Sequence, residues 1–415
     1  MASSHDDTIS NMKAMLASLS SAVPSQRRMP PGGLPARGGN VVLLTGTTGS
    51  LGCHLLGALA RSFDVLHVYA LNRASNNASL STRQQDALVE RAIDPCILDL
   101  PKITLLEGDL SLPNWGIAKD KYREVRRLTL DITHTAWRVD MMSGLDAFGP
   151  VLLGLLRLVQ FALDSPCADT RRLLFISSTG AIHEAPRDMP IPEAPVDPIY
   201  AIGNGYAQSK WVAEQLLLTT AQRTTLDPLI VRVGQLTGGP AGDWAANEWF
   251  PVMVQSAPYL GCFVDDPRPC PFLPFDIAAN ALLDMLHASS PTHIVHLIHP
   301  RPVCWNVIAR HIAKEFSVKL VPYRKWLALL ENARKMGQCR ALRLLPFFRI
   351  YVHDGSEVSP LAMGWPNLEV KEAVAASQTL ADPRLRKLES EDVMKWLEYW
   401  RRVGALPAGS SVARL

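Results

Sequence analysis

The sequence predicts an α/β protein with a doubly wound parallel sheet of the Rossmann type and a smaller, mostly helical C-terminal domain. Three observations support this prediction. Short apolar runs of strand length alternate with helical patterns between residues 41 and 233, as in parallel sheets that are covered on both faces. A glycine-rich turn directly follows the first of these runs, at residues 45–52. From Arg301 onward the patterns are mostly helical.

The predicted strands and helices follow one another in regular order. Helical patterns at residues 50–61 and 82–93 follow the first two strands, and a helical stretch follows each later strand as well. Residues 239–271, rich in Pro, Gly and Trp, interrupt the alternation. The predicted strands are residues 41–44, 65–71, 103–106, 132–136, 173–177 and 229–233.

These patterns divide the chain into three parts. Residues 1–40, rich in Ser, Pro, Gly and Arg, are expected to form a flexible linker that contains a short helix. Residues 41–238, with 272–300 returning to them, should form the Rossmann domain. Residues 239–271 and 301–415 should form a second domain over the carboxyl ends of the strands, where the ligands of such sheets bind.

The composition excludes several classes of protein. Across 415 residues, 42 basic and 39 acidic side chains give a formal net charge of +3, too balanced for a chain-wide nucleic-acid-binding surface. The most apolar stretch, residues 151–163, is broken by Arg157 and Gln160, so no membrane-spanning helix is expected. Seven scattered cysteines without a Cys-x-x-Cys pair favour a reducing compartment. Because no apolar N-terminal leader is visible, the expected location is the cytoplasm.

No metal site is expected. His293, His296 and His299 are spaced by three on a predicted strand, so their side chains alternate between faces and cannot converge on one ion. Cys167 has no His or Asn that the sequence would place beside it, which argues against a thiol nucleophile.

The turn at residues 45–52 has the glycine spacing of a dinucleotide-binding loop. Gly46 permits the tight turn, Gly49 lets backbone N–H groups approach a pyrophosphate, and Gly52 permits close packing of helix on sheet. The N-terminus of the following helix adds unpaired N–H groups and a favourable dipole for an anion. The expected cofactor contacts of this turn are Gly46, Thr48, Gly49, Ser50, Leu51 and Gly52.

The end of the second strand predicts the phosphorylated cofactor, NADP(H). No Asp or Glu stands where an NAD-binding fold places its ribose-binding acid; Arg73 stands there, and Arg83 follows at the start of the next helix. A guanidinium matches a ribose 2′-phosphate through paired donors. Asp109, after the third strand, either accepts from the adenine amino group or caps its own turn.

Tyr206 and Lys210 are the pair best suited to chemistry. Their spacing places both side chains on one face of a helix, and the buried strand before them ends in hydroxyls, of which Ser178 is preferred over Ser177 and Thr179. Hydride addition to a carbonyl leaves negative charge on oxygen, which needs donors placed in advance. Tyr206 can give the proton if the Lys210 ammonium eases phenolate formation, and Ser178 adds a second donor.

Further motifs accompany these residues. They are Gly46 to Gly52, Arg73, Gly108-Asp109-Leu110, Thr133-His134-Thr135-Ala136-Trp137, Ser177-Ser178, Gly205-Tyr206-Ala207-Gln208-Ser209-Lys210-Trp211, Arg232-Val233-Gly234-Gln235, Asn247-Glu248-Trp249-Phe250 and Pro274-Phe275-Asp276. Together they resemble the extended short-chain dehydrogenase/reductases, and more narrowly the thioester reductase domains that end non-ribosomal peptide synthetases and carboxylic acid reductases. The resemblance is strongest to the fungal adenylation–carrier–reductase enzymes. It covers about residues 41–300.

The resemblance implies an NADPH-dependent thioester reductase in which Ser178, Tyr206 and Lys210 are catalytic. An acyl, aminoacyl or peptidyl thioester on a phosphopantetheine carrier protein would be released as an aldehyde, or after a second hydride as an alcohol. The sequence holds neither a carrier signature nor an adenylation motif, so the carrier would act in cis or in trans. Besides the glycine turn, the cofactor contacts implied are Arg73, Arg83, Asp109, Leu110, Ala136, Trp137, Tyr206, Lys210 and Val233.

Residues 301–350 are strongly basic, with 11 Lys or Arg and only 2 acidic side chains. Such a segment attracts an acidic partner and speeds encounter, so we expect it to dock the carrier domain; a solvated surface without a partner is the other interpretation. Charge reversal at Arg324, Lys325, Arg334 and Lys335 is expected to weaken that docking.

Three other functions stay open. One is an enzyme of the same superfamily that acts on a free carbonyl compound or a nucleotide sugar. The others are a redox-inactive Dieckmann-type cyclase and a non-catalytic regulator that senses NADP(H), and the intact Tyr206 and Lys210 argue against both. Trp137, Trp244 and Trp249 either line a substrate tunnel or belong to the core.

Overall fold

The computed structural model contains a large parallel sheet and three short strand pairs. It describes residues 2–24, 40–165, 172–288, 292–333, 339–350 and 358–407. The strands are β1 (Asn40–Thr45), β2 (Val65–Asn72), β3 (Ile103–Glu107), β4 (Asp131–His134), β5 (Arg172–Ser178), β6 (Asp227–Val233), β7 (Leu236–Thr237), β8 (Cys262–Asp265), β9 (Pro269–Cys270), β10 (Leu273–Pro274), β11 (Ile294–Leu297), β12 (Val303–Cys304) and β13 (Lys319–Pro322).

The large sheet has seven parallel strands in the spatial order β11, β6, β5, β4, β1, β2, β3. The order reverses between β1 and β4, and a crevice opens at such a reversal, at the carboxyl ends of the strands. The predicted fold class is confirmed. β4 ends at His134 and not at Ala136, because Thr135 Oγ1 turns to donate to Thr45 O at 2.6 Å.

Helices cover both faces of the sheet. Side chains of α2, α3 and α8 pack on one face, and those of α1, α5 and α6 pack on the other. The helices are α1 (Ala2–Ser20), α2 (Ser50–Arg61), α3 (Leu80–Glu90), α4 (Lys119–Leu128), α5 (Gly149–Leu163), α6 (Gly205–Arg223), α7 (Trp249–Leu260), α8 (Phe275–His287), α9 (Trp305–Glu315), α10 (Tyr323–Asn332), α11 (Leu345–Ile350), α12 (Lys371–Ala375), α13 (Gln378–Ala381) and α14 (Ser390–Arg402).

Helix α5 is a core helix. With the turn before it, the segment Leu145–Leu163 is long and apolar enough to cross a membrane by length and composition alone. Its side chains Leu152, Leu155 and Phe161 are fully buried against the sheet. The apolar character of the segment is therefore explained by packing within the protein.

The N-terminal residues correct one prediction. Residues 1–40 were expected to form a flexible linker, but α1 packs against α6. Met12 is completely buried and Val23 is 3% exposed, and both belong to the apolar layer under the sheet. The amphipathic face of α1 drives this packing. Residues 25–39 lie outside the described residues.

A second apolar core lies outside the two layers of the sheet. It joins residues 244–272 to residues 305–406, and its centre is an aromatic cluster in which Trp244 stacks on Phe250 with ring centroids 4.8 Å apart. Besides helices, this part contains the parallel pair β8–β13 and the antiparallel pair β9–β12. These strands are too short to leave a sequence period.

The C-terminal segment also returns to the Rossmann core. Ala373, Ala376 and Leu380 pack in the same apolar layer as α2 and α8. Ser377 Oγ donates to Asp284 Oδ2 of α8 at 2.8 Å. Residues 371–381 therefore complete the first domain, although the sequence patterns had assigned all of 301–415 to the second.

Candidate active site

The predicted site residues gather at the carboxyl ends of β1, β4, β5 and β6. The glycine turn extends from β1, Ala136 and Trp137 follow β4, Ser178 ends β5, and Val233 ends β6 as its register partner. Parallel strands bring these ends to one edge of the sheet. At this edge, the turn after β1 is suited to a phosphate group. Hydroxyl and ammonium groups lie near the end of β5.

The glycine turn has no room for side chains at two of its positions. Gly46 has φ +78°, a left-handed conformation that favours glycine. A Cβ on Gly52 would stand 2.2 Å from Gly46 O, so only glycine lets α2 pack this close to β1. Gly49 precedes α2 with no side-chain cap there, which leaves N–H groups of the first helical turn for an anion.

Two polar side chains that the sequence did not single out brace this turn. Asn72 Oδ1 accepts from Thr48 N at 3.2 Å, and Asn72 Nδ2 donates to Thr47 Oγ1 at 2.6 Å. Gln84 of α3 accepts from Thr47 Oγ1 at 2.6 Å and donates to Thr47 O at 3.1 Å. The available signal was Asn72 itself, a polar residue that ends a buried strand.

Arg73 and Arg83 lie beyond the end of β2, beside the turn. Arg83 Nη2 donates to Arg73 O at 2.8 Å and lies 3.4 Å from Glu107 Oε2. Arg83 Nε is buried and has no partner among the residues that the structure describes. An unsatisfied guanidinium N–H beside the exposed Arg73 suits an added phosphate group.

Asp109 caps its own turn. Its Oδ1 accepts from Ser111 N at 2.7 Å. A hydrogen bond with the Ser111 side chain, helped by this backbone N–H and by the charges of Arg73 and Arg157, holds the pKa of Asp109 below its usual value against the effect of burial. The capping alternative is therefore present in the structure. Leu110 packs against Gly154, where a Cβ would stand 2.9 Å away.

Ser178 and Tyr206 are hydrogen-bonded neighbours. Burial raises the pKa of Tyr206, and the hydrogen bond with Ser178 opposes that effect. Ser178 Oγ also accepts from Gly180 N at 3.0 Å, which fixes the hydroxyl at the end of β5. Ser177, the lesser candidate, points away from this site and donates to the buried Glu214.

The start of α6 is fixed by two local features. Asn204 Oδ1 caps the helix by accepting from Ala207 N at 2.9 Å. A Cβ on Gly205 would stand 2.4 Å from both Ser143 O and Gly144 C. The loop after β4 therefore presses directly on the helical turn that holds Tyr206.

Lys210 lies one helical turn beyond Tyr206 and is 2% exposed. Its Nζ donates to Ile176 O at 2.6 Å. Burial lowers the pKa of Lys210 well below its usual value, and the carboxylate of Glu214 opposes this shift. The charged form of Lys210 therefore depends on interactions within the protein, since Nζ is removed from bulk water.

A buried ion pair connects α6 to the sheet below these groups. Arg232 Nη2 of β6 donates to Glu214 Oε2 at 2.7 Å, and neither side chain is exposed. Arg232 Nη1 also donates to Ala194 O at 3.0 Å. Glu214 follows Lys210 by one helical turn, so the pair fixes the helix that carries the catalytic candidates.

His134 is a buried residue under Lys210 that the sequence contained only as part of a motif. Its Nδ1 lies 2.8 Å from Thr45 Oγ1, and Ala136 N donates to the same hydroxyl at 3.3 Å. Burial and the charge of Lys210 lower the pKa of His134 to about 3. The ring is therefore neutral and links β4 to β1.

Gln235 and Glu248 form a polar group beside the end of β6. Gln235 Nε2 and Trp244 Nε1 lie 3.4 and 2.9 Å from Glu248 Oε2, and Trp249 Nε1 donates to Gln235. Burial raises the pKa of Glu248 to about 7, opposed by its two donors. Trp244 is fully buried and belongs to the core, whereas Trp249 is half-buried at the edge of this group.

The three histidines considered for a metal are held separately. His293 and His296 lie near the backbone oxygens of Pro228 and Glu369, at 2.9 and 2.8 Å. His299 lies 2.9 Å from Arg386 O. No group of three metal-ligating side chains occurs within the described parts of the chain. Cys167 lies outside them.

The comparisons with known proteins identify the family and the fold of the chain. An NAD-binding family model described as "Male sterility protein" matches residues 44–282. The chain is 36% identical to the adenylate-forming reductase Nps10 of Heterobasidion annosum, over 97% of this chain and 38% of that protein. The chain thus spans less than two fifths of this relative.

Solved structures show the same fold. The terminal R domain from the myxalamid PKS-NRPS biosynthetic pathway has a TM-score of 0.76 at 22% identity, with 96% of this chain and 99% of that chain covered. A thiolation-reductase di-domain from an archaeal non-ribosomal peptide synthetase has a TM-score of 0.70 at 16% identity, over 96% of this chain and 83% of that chain.

The close contact at Gly52 generates a prediction. Gly52→Ala should destabilise the fold by about 1–3 kcal/mol and weaken binding of the nicotinamide cofactor, because its methyl group forces α2 away from β1.

Gly49→Ala is the matched control, since its Cβ would meet Gly46 O at an ordinary 3.4 Å. It should leave the free energy of unfolding within about 0.5 kcal/mol but still reduce cofactor affinity. Urea unfolding and cofactor fluorescence measure the two effects; equal destabilisation by both variants would contradict the steric explanation.

Proposed function

We propose that this chain, which belongs to the NAD-binding family described as male sterility protein, reduces a thioester held on a phosphopantetheine carrier protein and releases an aldehyde, with NADPH as the reductant. The chain is an oxidoreductase of that family and takes a nicotinamide cofactor. The observation that carries the proposal is the grouping of Ser178, Tyr206 and Lys210 at the strand ends next to the glycine turn. The match to adenylate-forming reductases and terminal reductase domains supports the thioester substrate.

The chemistry assigns a role to each group. When bound, the reduced nicotinamide supplies a hydride to the thioester carbon. Tyr206 donates its proton to the carbonyl oxygen, and Ser178 donates a second hydrogen bond to the same oxygen. The positive charge of Lys210 makes the phenolate of Tyr206 less costly.

Release of the product completes the reaction. The carbon–sulfur bond breaks, the oxygen returns its proton to the Tyr206 phenolate, and the aldehyde departs. The leaving group is a thiolate, whose thiol has a pKa close to that of cysteine, about 8.5. The thiolate takes a proton from water. In sum, thioester, reduced cofactor and one proton give aldehyde, thiol and oxidised cofactor.

The choice of NADPH rests on Arg73 and Arg83. Both lie where the second strand ends, and Arg83 keeps one buried N–H without a partner among the described residues. A 2′-phosphate supplies the acceptor oxygens for such a group. No carboxylate ends β2 to bind a free ribose hydroxyl.

We assign docking of the carrier protein to the basic segment, residues 301–350. Arg310, Lys314, Lys319, Arg324 and Lys325 are exposed on α9, β13 and α10, which pack against one another in the second domain. Arg301 is instead used internally, because it donates to Asp382 O and Leu385 O. Arg334 and Lys335 lie outside the described residues.

Turnover tests the function directly. Carrier-loaded and pantetheine-linked acyl thioesters should oxidise NADPH, followed by absorbance of the reduced nicotinamide, and free ketones should not. Tyr206→Phe should lower turnover by about 10²–10⁴-fold while the cofactor Kd stays within about threefold, because the removed hydroxyl contacts the substrate oxygen. Turnover of free carbonyl compounds alone, or a fully active Tyr206→Phe, would reject the proposal.

Cofactor choice is tested separately. Arg73→Ala should raise the Kd of NADPH by about 10- to 100-fold, the loss expected for hydrogen bonds to a charged group, and leave the Kd of NADH nearly unchanged. Arg61→Ala is the control, because Arg61 is an exposed arginine at the far end of α2. Equal weakening of both cofactors by Arg73→Ala would assign Arg73 a structural role.

Docking is tested by charge reversal. Arg324→Glu with Lys325→Glu should raise the KM for a carrier-bound thioester severalfold and spare a small pantetheine mimic, because long-range attraction acts only on the acidic partner. Lys119→Glu with Arg123→Glu, the same change in charge on exposed residues of α4, should leave both KM values unchanged. Equal effects on both substrates would remove the docking assignment.

A further inference from the structure

Lys210 is surrounded by aromatic rings. Its Nζ lies 4.3 Å from the ring centre of Trp137, 4.8 Å from that of Phe175 and 5.7 Å from that of Tyr206. All three distances are within the range of a cation–π interaction. The rings come from the loop after β4, from β5 and from α6, so three elements enclose one ammonium.

The charged groups near Lys210 do not supply a free counter-ion. Glu214 of α6 is the nearest carboxylate, but it accepts from Arg232 through Nη2 at 2.7 Å and also from Ser177. Arg232 therefore offsets much of its negative charge. From β4, His134 is neutral, with its pKa lowered to about 3. Tyr206 and Ser178 complete the surroundings as neutral hydroxyls.

Trp137 is the aromatic group best placed to compensate. Among aromatic side chains, tryptophan binds a cation most strongly, and its centre is the nearest of the three. Edge-on packing against Phe175, with ring centroids 5.3 Å apart, holds the ring in place, and Nε1 also donates to Ser209 Oγ at the rim of the ring, at 3.3 Å. Trp137 itself is half-buried and packs at the edge of the apolar layer, with Lys210 Nζ over its ring.

We infer that Trp137 is a positioning residue for Lys210: its ring face stabilises the buried ammonium and holds Nζ beside Tyr206. The sequence had assigned Trp137 to the cofactor, with a substrate tunnel or the core as the two places for its ring. In this arrangement it acts through the lysine. The consequence for catalysis rests on the proposed function, whereas the effect on Lys210 does not.

The direction of the effect follows from the burial of Lys210. Burial already lowers its pKa, so the ammonium is lost as pH rises through a value below that of a free lysine. Removing the ring face favours the neutral amine further. As pH rises, the protonated form, and the support it gives to the Tyr206 phenolate, should then be lost at a lower pH than in the wild-type protein.

The test is a titration of Lys210 in the protein without cofactor or substrate. Lysine carrying ¹³C at Cε is incorporated, the Lys210 signal is assigned by Lys210→Arg, and its pKa is read by NMR. Trp137→Leu should lower that pKa by about 1 unit or more, the size expected for a desolvated cation–π contact. Trp137→Phe, which keeps a weaker ring, should lower it by about half as much.

Ser209→Ala is the matched control. It removes the hydrogen-bond partner of the indole and keeps the ring, so the pKa of Lys210 should stay within about 0.3 unit of wild type. If Trp137→Leu does not fold, Trp137→Phe decides the test by the same criterion. Wild-type pKa values in the Trp137 variants, or an equal drop in Ser209→Ala, would overturn the inference.

Turnover separates this inference from the proposed function. With a pantetheine thioester, the pKa of the alkaline limb of the pH–rate profile should be lower in Trp137→Phe than in wild type. The difference should equal the shift measured by the NMR titration. An inactive wild type with the predicted titration shift would reject the function and keep the role of Trp137. An active wild type without any titration shift would reject the role of Trp137 alone.

Discussion

The ion pair between Glu214 and Arg232 is the constraint on which the arrangement of the site depends. A fully buried guanidinium and carboxylate must stay together, because either one left alone in the interior would be a costly charge. Arg232 belongs to β6 and Glu214 to α6, so the pair sets where α6 lies over the sheet. Lys210 and Tyr206 lie on the same face of α6, one and two helical turns before Glu214. Ser177, which donates to Glu214, leaves its neighbour Ser178 facing the opposite side of β5.

The binding half of the crevice has a different physical basis. There the backbone forms a tight turn, and glycines at 46 and 52 let helix and turn approach until no Cβ fits. A loop of this kind needs support, which Asn72 provides by hydrogen bonds to Thr47 and Thr48 and Gln84 by a hydrogen bond to Thr47. The rigid turn and the helix dipole act together on a bound phosphate. The two halves meet where β1 and β4 are neighbours.

Much of this could be predicted from the sequence, for identifiable reasons. Strand-length apolar runs and the start of α2 at Ser50 depend on local residues, and these predictions are confirmed by the structure. The polar groups around the turn were missed, because Asn72, Gln84 and Thr47 are far apart in sequence and carry no period. Likewise, a short helix was expected near α1 but its packing was missed, since its partner α6 lies about 200 residues away in the sequence. Long-range pairs of this kind become visible only in three dimensions.

The return of residues 371–381 to the first domain has a consequence for protein engineering. Glu193 accepts backbone N–H groups from Glu372 and Ala373, and Asp284 accepts from Thr379. The two domains are therefore interleaved, because the chain leaves the nucleotide-binding half and later comes back to finish it. A chimera that exchanges only the part of the chain after residue 300 would lose side chains that belong to the interior of the first domain. A graft should therefore keep residues 371–381 together with the first domain, whose interior they complete.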